Sequence, residues 1–371
     1  MARVVLIEPY YGGSHRSWAD SWVRHSRHEI SLVTHPDEFW RWRLRGGAVT
    51  LAADFAKVVA AHGQPDAVVV SGLVDVAAFA GHARRSLRNT PLATYVHESQ
   101  VLYPLAPNQR ADTSAALVNW QSLVASDAVW FNSAFHSVAL REALPRLLGS
   151  QPEPTHRHLI EPVFERAGVL WPGVESAALI DSERTVRAVP RVLWNQRWDH
   201  DKNPHAVFAA LAHMADQGIA FTLALAGQNQ RPDNPDFAWV HEQLGDRIDH
   251  HGYLPADDYR QLLLSSDVVV SAADHEFFGI AIVEALAAGA VPVLPTRLSF
   301  PELIEPQWHE AALYPDGDLR TRLRTVLSDL DGARGRVEGL RASMARFDAS
   351  ASATSHDEAV DRLIDSQKKN S

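Results

Sequence analysis

Short runs of aliphatic and β-branched residues alternate with helical stretches along this whole chain, and that alternation limits the fold more than any other feature. Runs that read as strands are Val4–Ile7, Glu29–Thr34, Ala67–Ser71, Leu92–His97 and Ala128–Asn132, followed by Val192–Gln196, Phe221–Gly227, Ile248–Tyr253, Val268–Ser271 and Val291–Pro295. Between them lie patterns of helical period, including Ser17–His25, Val74–Leu87, Ala115–Ala125, Pro204–Gln217, Ala256–Ser265 and Gly279–Gly289. Such alternation predicts parallel sheets joined by crossover helices. Two series of strands predict an α/β chain of two doubly wound, Rossmann-like domains, with ligands bound beyond the strand C-termini in a central cleft. The turn signal Trp171-Pro172-Gly173-Val174 and the polar stretch after it mark the boundary. The expected domains are 1–180 and 181–371, the second carrying a C-terminal tail after Phe347 with one helical piece near Glu358–Ile364. Ser150–His158 reads as a surface loop.

Composition narrows the function classes. With 371 residues and 46% hydrophobic content, both halves can bury a core. The absence of cysteine excludes disulfides, thiolate metal sites and cysteine nucleophiles, and suits a reducing compartment. The N-terminal apolar run meets Glu8 and Pro9 too early for a signal peptide, and no run has the length of a membrane span, so the expectation is a cytoplasmic protein without a membrane partner. A net charge of −10 opposes a large non-specific nucleic-acid footprint, so any basic contact must be local. Tryptophan occurs 11 times, often beside polar or basic residues, as in Trp40-Arg41-Trp42-Arg43 and Trp194-Asn195-Gln196-Arg197-Trp198.

Four segments carry chemistry. In His275-Glu276-Phe277-Phe278-Gly279-Ile280-Ala281-Ile282-Val283-Glu284, Glu276 follows the strand Val268–Ser271 and Glu284 lies about a turn into the next helix. Gly279 allows a sharp turn that brings a helix N-terminus close to an anion. Glu284 is the one charge in an apolar run and needs partners, which sugar hydroxyls would supply; a solvated stripe on a half-buried helix fits the segment alone equally well. Arg197 and Lys202 follow the strand Val192–Gln196, with Asn203 as an N-cap and Pro204 in the first helical turn. Two cations beside a helix N-terminus suit a diphosphate, whereas alone they also fit surface cations paired with Asp199 and Asp201. Gly12-Gly13-Ser14-His15 follows the first strand as a close-approach loop or a tight turn, and the G-x-G-x-x-G and P-loop patterns are missing. His97-Glu98-Ser99-Gln100 ends the fourth strand, where the histidine faces either ligand or local hydrogen-bond partners. No H-E-x-x-H occurs and the histidines are scattered, so no metal site is expected.

Together these residues resemble the retaining, nucleotide-sugar-dependent glycosyltransferases of the two-domain GT-B type, family four in particular. The family's E-x7-E signature matches Glu276–Glu284, its basic pair matches Arg197 and Lys202, and its N-terminal-domain histidine matches His97. A narrower resemblance rests on Ile7-Glu8-Pro9-Tyr10-Tyr11-Gly12-Gly13-Ser14-His15, on Trp40-Arg41-Trp42-Arg43, and on His97-Glu98-Ser99-Gln100 with Tyr103-Pro104. These segments are similar to the family that contains the tRNA-queuosine α-mannosyltransferase, with Ser99 standing where asparagine is expected.

The resemblance implies transfer of mannose from GDP-mannose to the cyclopentenediol of queuosine at the wobble position of tRNA-Asp, with retention and without a cofactor or metal. The alternative is a family-four transferase using another sugar nucleotide and a small-molecule, glycan or lipid acceptor. The implied catalytic residues are His97, Arg197, Lys202 and Glu276. Gly12, Gly13, Phe278, Gly279 and Glu284 are implied to bind the donor, and Trp40, Arg41, Trp42, Arg43, Glu98 and Gln100 the anticodon loop of the acceptor, to which Arg84, Arg85 and Arg88 would add backbone contacts.

Overall fold

The computed structural model describes residues 1–104, 112–152, 155–227 and 234–370. Of the expected 150–158 loop, Glu153 and Pro154 lie outside the described residues. The chain divides into two compact units: Met1–Gly173 with Ala349–Ser371, and Val174–Asp348.

The first unit holds strands β1 (Arg3–Tyr11), β2 (Glu29–Pro36), β3 (Ala67–Ser71), β4 (Leu92–Val96), β5 (Ala128–Phe131) and β6 (Ala167–Val169). They form one sheet in the order β2-β1-β3-β4-β5-β6, every pair parallel. The period-two pattern of the strands decides which residues face which layer. Val4 and Leu6 of β1, with Ala67 and Val69 of β3, enter one core. Val5 and Ile7, with Val68 and Val70, enter the core on the other face. Burial on both faces explains why these strands read as unbroken apolar runs.

The second unit repeats the plan with β7 (Arg191–Trp194), β8 (Thr222–Ala226), β9 (Ile248–Gly252), β10 (Val268–Val270), β11 (Val291–Pro295) and β12 (Leu313–Tyr314), in the order β12-β11-β10-β7-β8-β9. In each sheet the chain starts in the middle and winds outward first one way and then the other. The strand order therefore reverses between β1 and β3, and between β7 and β10, where ligands of open α/β sheets bind. The sequence pattern anticipated ten of these strands. It passed over β6 and β12, which are too short to carry a periodic signal.

The C-terminal tail corrects the expected domain division. The sequence reading puts residues after Phe347 in the second domain. Ala349–Asn370 is instead a single helix that belongs to the first unit. Its Ala353, Val360 and Leu363 join the core of Trp18, Trp22 and Tyr95. These positions recur at helical spacing, but the apolar stripe is built largely of alanine, which hides it in a hydropathy reading. Polar contacts fix the register. The Asp357 carboxylate accepts hydrogen bonds from Trp22 Nε1 (2.9 Å), Ser26 Oγ (2.6 Å) and the Arg27 N–H (2.7 Å). The Trp18 Nε1–H donates to His356 Nε2 (3.1 Å), and His356 Nδ1 contacts the Ser352 carbonyl (2.8 Å).

His356 must be neutral to accept from Trp18, and burial holds its pKa down at about 4. A base whose folded pKa lies below its unfolded value of about 6.5 makes the fold lose stability as pH falls from about 6.5 to about 4. This residue contributes a loss of ~3 kcal/mol across that window, at about 1.4 kcal/mol per pH unit. Urea unfolding followed by tryptophan fluorescence at stepped pH should show a shallower dependence in His356→Gln than in the parent; equal slopes would remove His356 as its source.

Candidate active site

β7 ends at Trp194, and the chain enters the segment Asn195–Lys202 at the reversal point of the second sheet. Trp194 and Trp198 are both core residues. Trp194 packs on Phe208 and Phe237, and Trp198 stacks on Phe237 and on His251 with ring centroids at 4.1 and 4.4 Å. A 3-10 turn spans His200–Lys202, started by Asp199, which accepts the His200 N–H (2.8 Å). Asn203 makes no capping bond. It adopts the left-handed conformation (φ 48°) at the joint between this turn and the helix Pro204–Asp216, a geometry asparagine tolerates better than most residues.

That turn is stitched to the loop after β10. The Asp201 carbonyl accepts the N–H groups of Asp274 (2.9 Å) and His275 (3.2 Å). Lys202, itself buried, sends Nζ to the His275 carbonyl (2.6 Å) and to Glu276 Oε2 (3.1 Å). Asp201 lies beneath, its Oδ2 at 3.4 Å from Lys202 Nζ, 3.8 Å from Arg197 Nη2 and 3.6 Å from His275 Nδ1. Burial pushes the Asp201 carboxyl up, but the His275 ring and the charges of Lys202 and Arg197 outweigh it and hold the acid below the usual carboxylate range. Arg197 is exposed.

Glu276 is half-buried, with Oε1 facing the Phe278 N–H at 3.4 Å. Phe278 is buried, and its carbonyl accepts from Ser299 Oγ (2.9 Å). Gly279 caps the helix Ile280–Ala287 at φ 102°, a backbone angle open to glycine almost alone. Glu284 lies in that helix and meets different partners. The Tyr259 hydroxyl donates to its Oε2 (3.1 Å) and accepts from Asn195 Nδ2 (3.0 Å), which also reaches the Ala281 carbonyl (2.7 Å). Burial raises the Glu284 carboxyl to about 7, against the lowering effect of the Tyr259 bond. The structure thus brings Arg197, Lys202 and Glu276 together through Asp201. Among the described residues no hydrogen bond links Glu284 to Lys202.

In the first unit, Gly12 and Gly13 follow β1, and the helix begins at Gly13 itself, with φ +50°. The expected helix from Ser17 is therefore one turn too short, because glycines at a helix start read as a loop. His97 follows β4. Its ring packs against His15 (centroids 4.1 Å), Trp18 (4.6 Å) and Tyr95 (4.6 Å), and Nε2 points to Glu8 Oε2 at 3.7 Å. Burial, and then the neighbouring His15, His356 and His136, push the His97 imidazole well below its usual pKa, so it is neutral. Trp40–Arg43 form the first turn of the helix Trp40–His62, preceded by Phe39 in the left-handed conformation. Trp42 is 65% exposed and Phe39 73%. The Arg41 guanidinium lies over the Trp40 ring (4.8 Å), and Arg43 is half-buried. Glu98 and Gln100 bond to one another (3.2 Å), and the Gln100 N–H donates to Asn119 Oδ1 (2.7 Å). Among the described residues no hydrogen bond or ring contact joins this pair to Trp40–Arg43.

Sequence reasoning missed Glu8, His15, Asn195, Asp201 and Tyr259. Glu8 left one signal, a lone carboxylate directly after the apolar run Val4–Ile7. Asp201 was weighed only as a surface partner of the cations, although its side chain is fully buried.

Comparisons with known proteins bear on the family and the fold. A family model described as tRNA-queuosine alpha-mannosyltransferase N-terminal matches residues 3–174, and one described as glycosyl transferases group 1 matches residues 183–330. The chain is 28% identical over 310 residues to the tRNA-queuosine alpha-mannosyltransferase of Drosophila melanogaster, covering 81% of both chains. Among solved structures, a sucrose-phosphate synthase from Thermosynechococcus elongatus superposes with a TM-score of 0.75 at 17% identity, over 99% of this chain and 100% of the other. Anabaena HepE in complex with UDP and glucose gives 0.68 at 18%, over 98% and 100%. Both share the GT-B fold.

Asp201 supplies the buried counter-charge of this cluster. Asp201→Asn should lower the stability of the protein in urea by ~3 kcal/mol, since it leaves Lys202 short of a buried partner. The exposed neighbour Asp274→Asn, which breaks only a surface pair with Arg297, should stay within about 1 kcal/mol of the parent. Similar losses in both variants would contradict the buried-anchor assignment.

Proposed function

We propose, for a chain that belongs to the GT-B glycosyltransferases of the tRNA-queuosine alpha-mannosyltransferase family, that it moves mannose from GDP-mannose to the cyclopentenediol of queuosine at the wobble position of tRNA-Asp, with retention of configuration. The observation that carries the transfer chemistry is the buried Lys202 ammonium, in the turn after β7, 3.1 Å from Glu276 in the loop after β10. The acceptor rests on the match of residues 3–174 and on the named Drosophila relative.

In this reading Arg197 and Lys202 receive the diphosphate. Exposed Arg197 adapts to the outer oxygens, while Lys202 is already fixed by His275, Glu276 and Asp201. Negative charge that develops on the leaving diphosphate meets the preset Lys202, the adapting Arg197 and the N–H groups near Phe278 and Gly279, which do the work of a metal ion. Glu276 accepts hydrogen bonds from hydroxyls of the transferred hexose. His97, neutral, contacts the hexose near its 6-hydroxyl and polarises the transition state. The acceptor hydroxyl attacks on the face the diphosphate leaves, and a departing phosphate oxygen takes its proton, so no carboxylate base is required. Gly12 and Gly13 allow close backbone approach to the donor.

The acceptor-side residues suit an unpaired loop. The exposed Trp42 ring and the Trp40–Arg41 pair offer faces on which bases stack. Arg43 adds charge for phosphate, and Glu98 and Gln100 offer polar groups to the diol. With a net charge of −10 on the chain, binding is confined to a small contact and weakens with salt. No helix of the described residues is long and apolar enough to cross a membrane. A cytoplasmic setting follows from the tRNA acceptor.

Two outcomes test this. Incubation with GDP-mannose and queuosine-containing tRNA should add one hexose to the modified nucleoside by mass spectrometry, with no transfer to queuosine-lacking tRNA and none by folded Arg197→Ala. Queuosine-independent transfer, or none to tRNA, would instead assign a small-molecule, glycan or lipid acceptor with another sugar donor. Glu284 binds the ribose hydroxyls, which donate to it best when it is ionised. Because its carboxyl sits at about 7 in the free protein, donor binding expels a proton, and affinity for GDP-mannose should rise about tenfold from pH 6 to pH 8. GDP-mannose has no group of its own titrating there. Glu284→Gln should flatten this calorimetric profile, and a sloped profile in that variant would place the proton elsewhere.

A further inference from the structure

Glu8 lies in β1 directly after the buried run Val4–Ile7, and it is itself fully buried. A carboxylate so placed needs hydrogen-bond donors. Its Oε1 has two: the Tyr10 N–H at 2.8 Å and His15 Nδ1 at 3.1 Å. Its Oε2 has none at hydrogen-bond distance among the described residues, and 3.7 Å away His97 Nε2 is likewise buried without a partner. The two orphaned atoms face one another. We infer that Glu8 is a positioning residue for His97: it takes the Nε2–H of that ring, fixes its tautomer, and leaves Nδ1 as the lone-pair nitrogen that meets a substrate hydroxyl. This deepens the role given to His97 above and rests on that reading.

The argument is one of hydrogen-bond capacity. An ionised carboxylate only accepts, so each ring nitrogen facing it carries a hydrogen. In a neutral imidazole the other nitrogen then has none. Burial keeps His97 neutral, and His15, His356 and His136 add to this. Every charged or titratable group facing the ring has a place in the scheme. His15 comes from the helix Gly13–His25, Tyr95 from β4, His136 from the helix Ala134–Gly149, His356 from the C-terminal helix, and Glu8 from β1. Glu8 is the one carboxylate among them. The 3.7 Å gap is longer than a formed hydrogen bond; catalytic hydrogen bonds are often long before substrate arrives.

The same capacity argument predicts what an isosteric change does. In Glu8→Gln the Tyr10 N–H and His15 Nδ1–H keep the amide oxygen at the Oε1 position. The amide NH2 then faces His97 Nε2, and the ring must move its hydrogen to Nδ1. The substrate hydroxyl meets a donor where it needs an acceptor.

Long-range 1H–15N spectra of the histidine rings read this directly in the full-length protein. The parent should hold His97 as the Nε2–H tautomer and Glu8→Gln as the Nδ1–H tautomer, with resonances assigned through His97→Asn. In transfer assays Glu8→Gln should lose at least tenfold in kcat with the donor KM within threefold. The acid limb of its pH profile should move to lower pH, because removing the carboxylate charge makes His97 harder to protonate. Glu8→Asp, which keeps the acceptor charge, should recover part of kcat. An Nδ1–H tautomer in the parent would overturn the inference even where Glu8→Gln does not fold, as would an unchanged tautomer and pH profile in a folded variant. Glu8, His15 and His97 also offer ligand atoms within 4.8 Å of one another, so metal analysis of the purified protein belongs in the test; one bound equivalent that Glu8→Gln releases would overturn it too. Full transfer by His97→Asn would sink the role of His97 and leave the tautomer result standing, so the two failures separate.

Discussion

A lysine ammonium taken out of water is the constraint from which the second unit's site follows. Desolvating such a charge costs several kcal/mol, recovered only when acceptors are already in place around it. Lys202 has the His275 carbonyl, Glu276 and Asp201. Each stands where it does because the Asp201 carbonyl holds the backbone of Asp274 and His275. The loop after β10 and the turn after β7 are thus one structure sharing a buried ion. Asn195 and Gln196 extend the same seam, the first to Tyr259 and the Ala281 carbonyl, the second to Ser271 Oγ at 2.8 Å. Under the proposed function, the diphosphate meets in Lys202 a cation whose ordering cost was met when the protein folded, which is the condition for electrostatic catalysis.

The first unit handles polarity differently. Its strand-end cluster has one carboxylate, four imidazoles and the rings of Trp18 and Tyr95, with His97 in the middle. Burial keeps His97 and His356 neutral, so the role proposed for this region rests on the direction of N–H bonds and lone pairs, and the role proposed for the other on charge.

Much of this was legible in the residues. Fold class came from periodicity, which survives because the inner strands of both sheets are buried on both faces and stay apolar. Arg197, Lys202, Glu276 and Glu284 stood out because charged side chains next to buried strands are rare. What escaped did so for physical reasons. β12, at two residues, and β6, at three, are shorter than any repeat that could mark them. Asp201 looked like a surface partner because burial is a property of the folded turn. The C-terminal helix was assigned to the wrong unit because nothing local records that Asp357 will face Trp22, Ser26 and Arg27, more than 300 residues earlier in the chain.

That last feature bears on how the molecule comes into being. The first unit is discontinuous, and its closing helix leaves the ribosome only after the whole of the second unit. Until then, Trp18, Trp22 and their core lack the cover of Ala353, Val360 and Leu363, while the whole second unit is synthesised and free to fold. At elongation rates of ~5–20 residues per second, the 175 residues from Val174 to Asp348 leave that core open for roughly 10–35 seconds. The nascent N-terminal half is therefore the natural client for a holding chaperone, and slow translation of the second half lengthens its exposure.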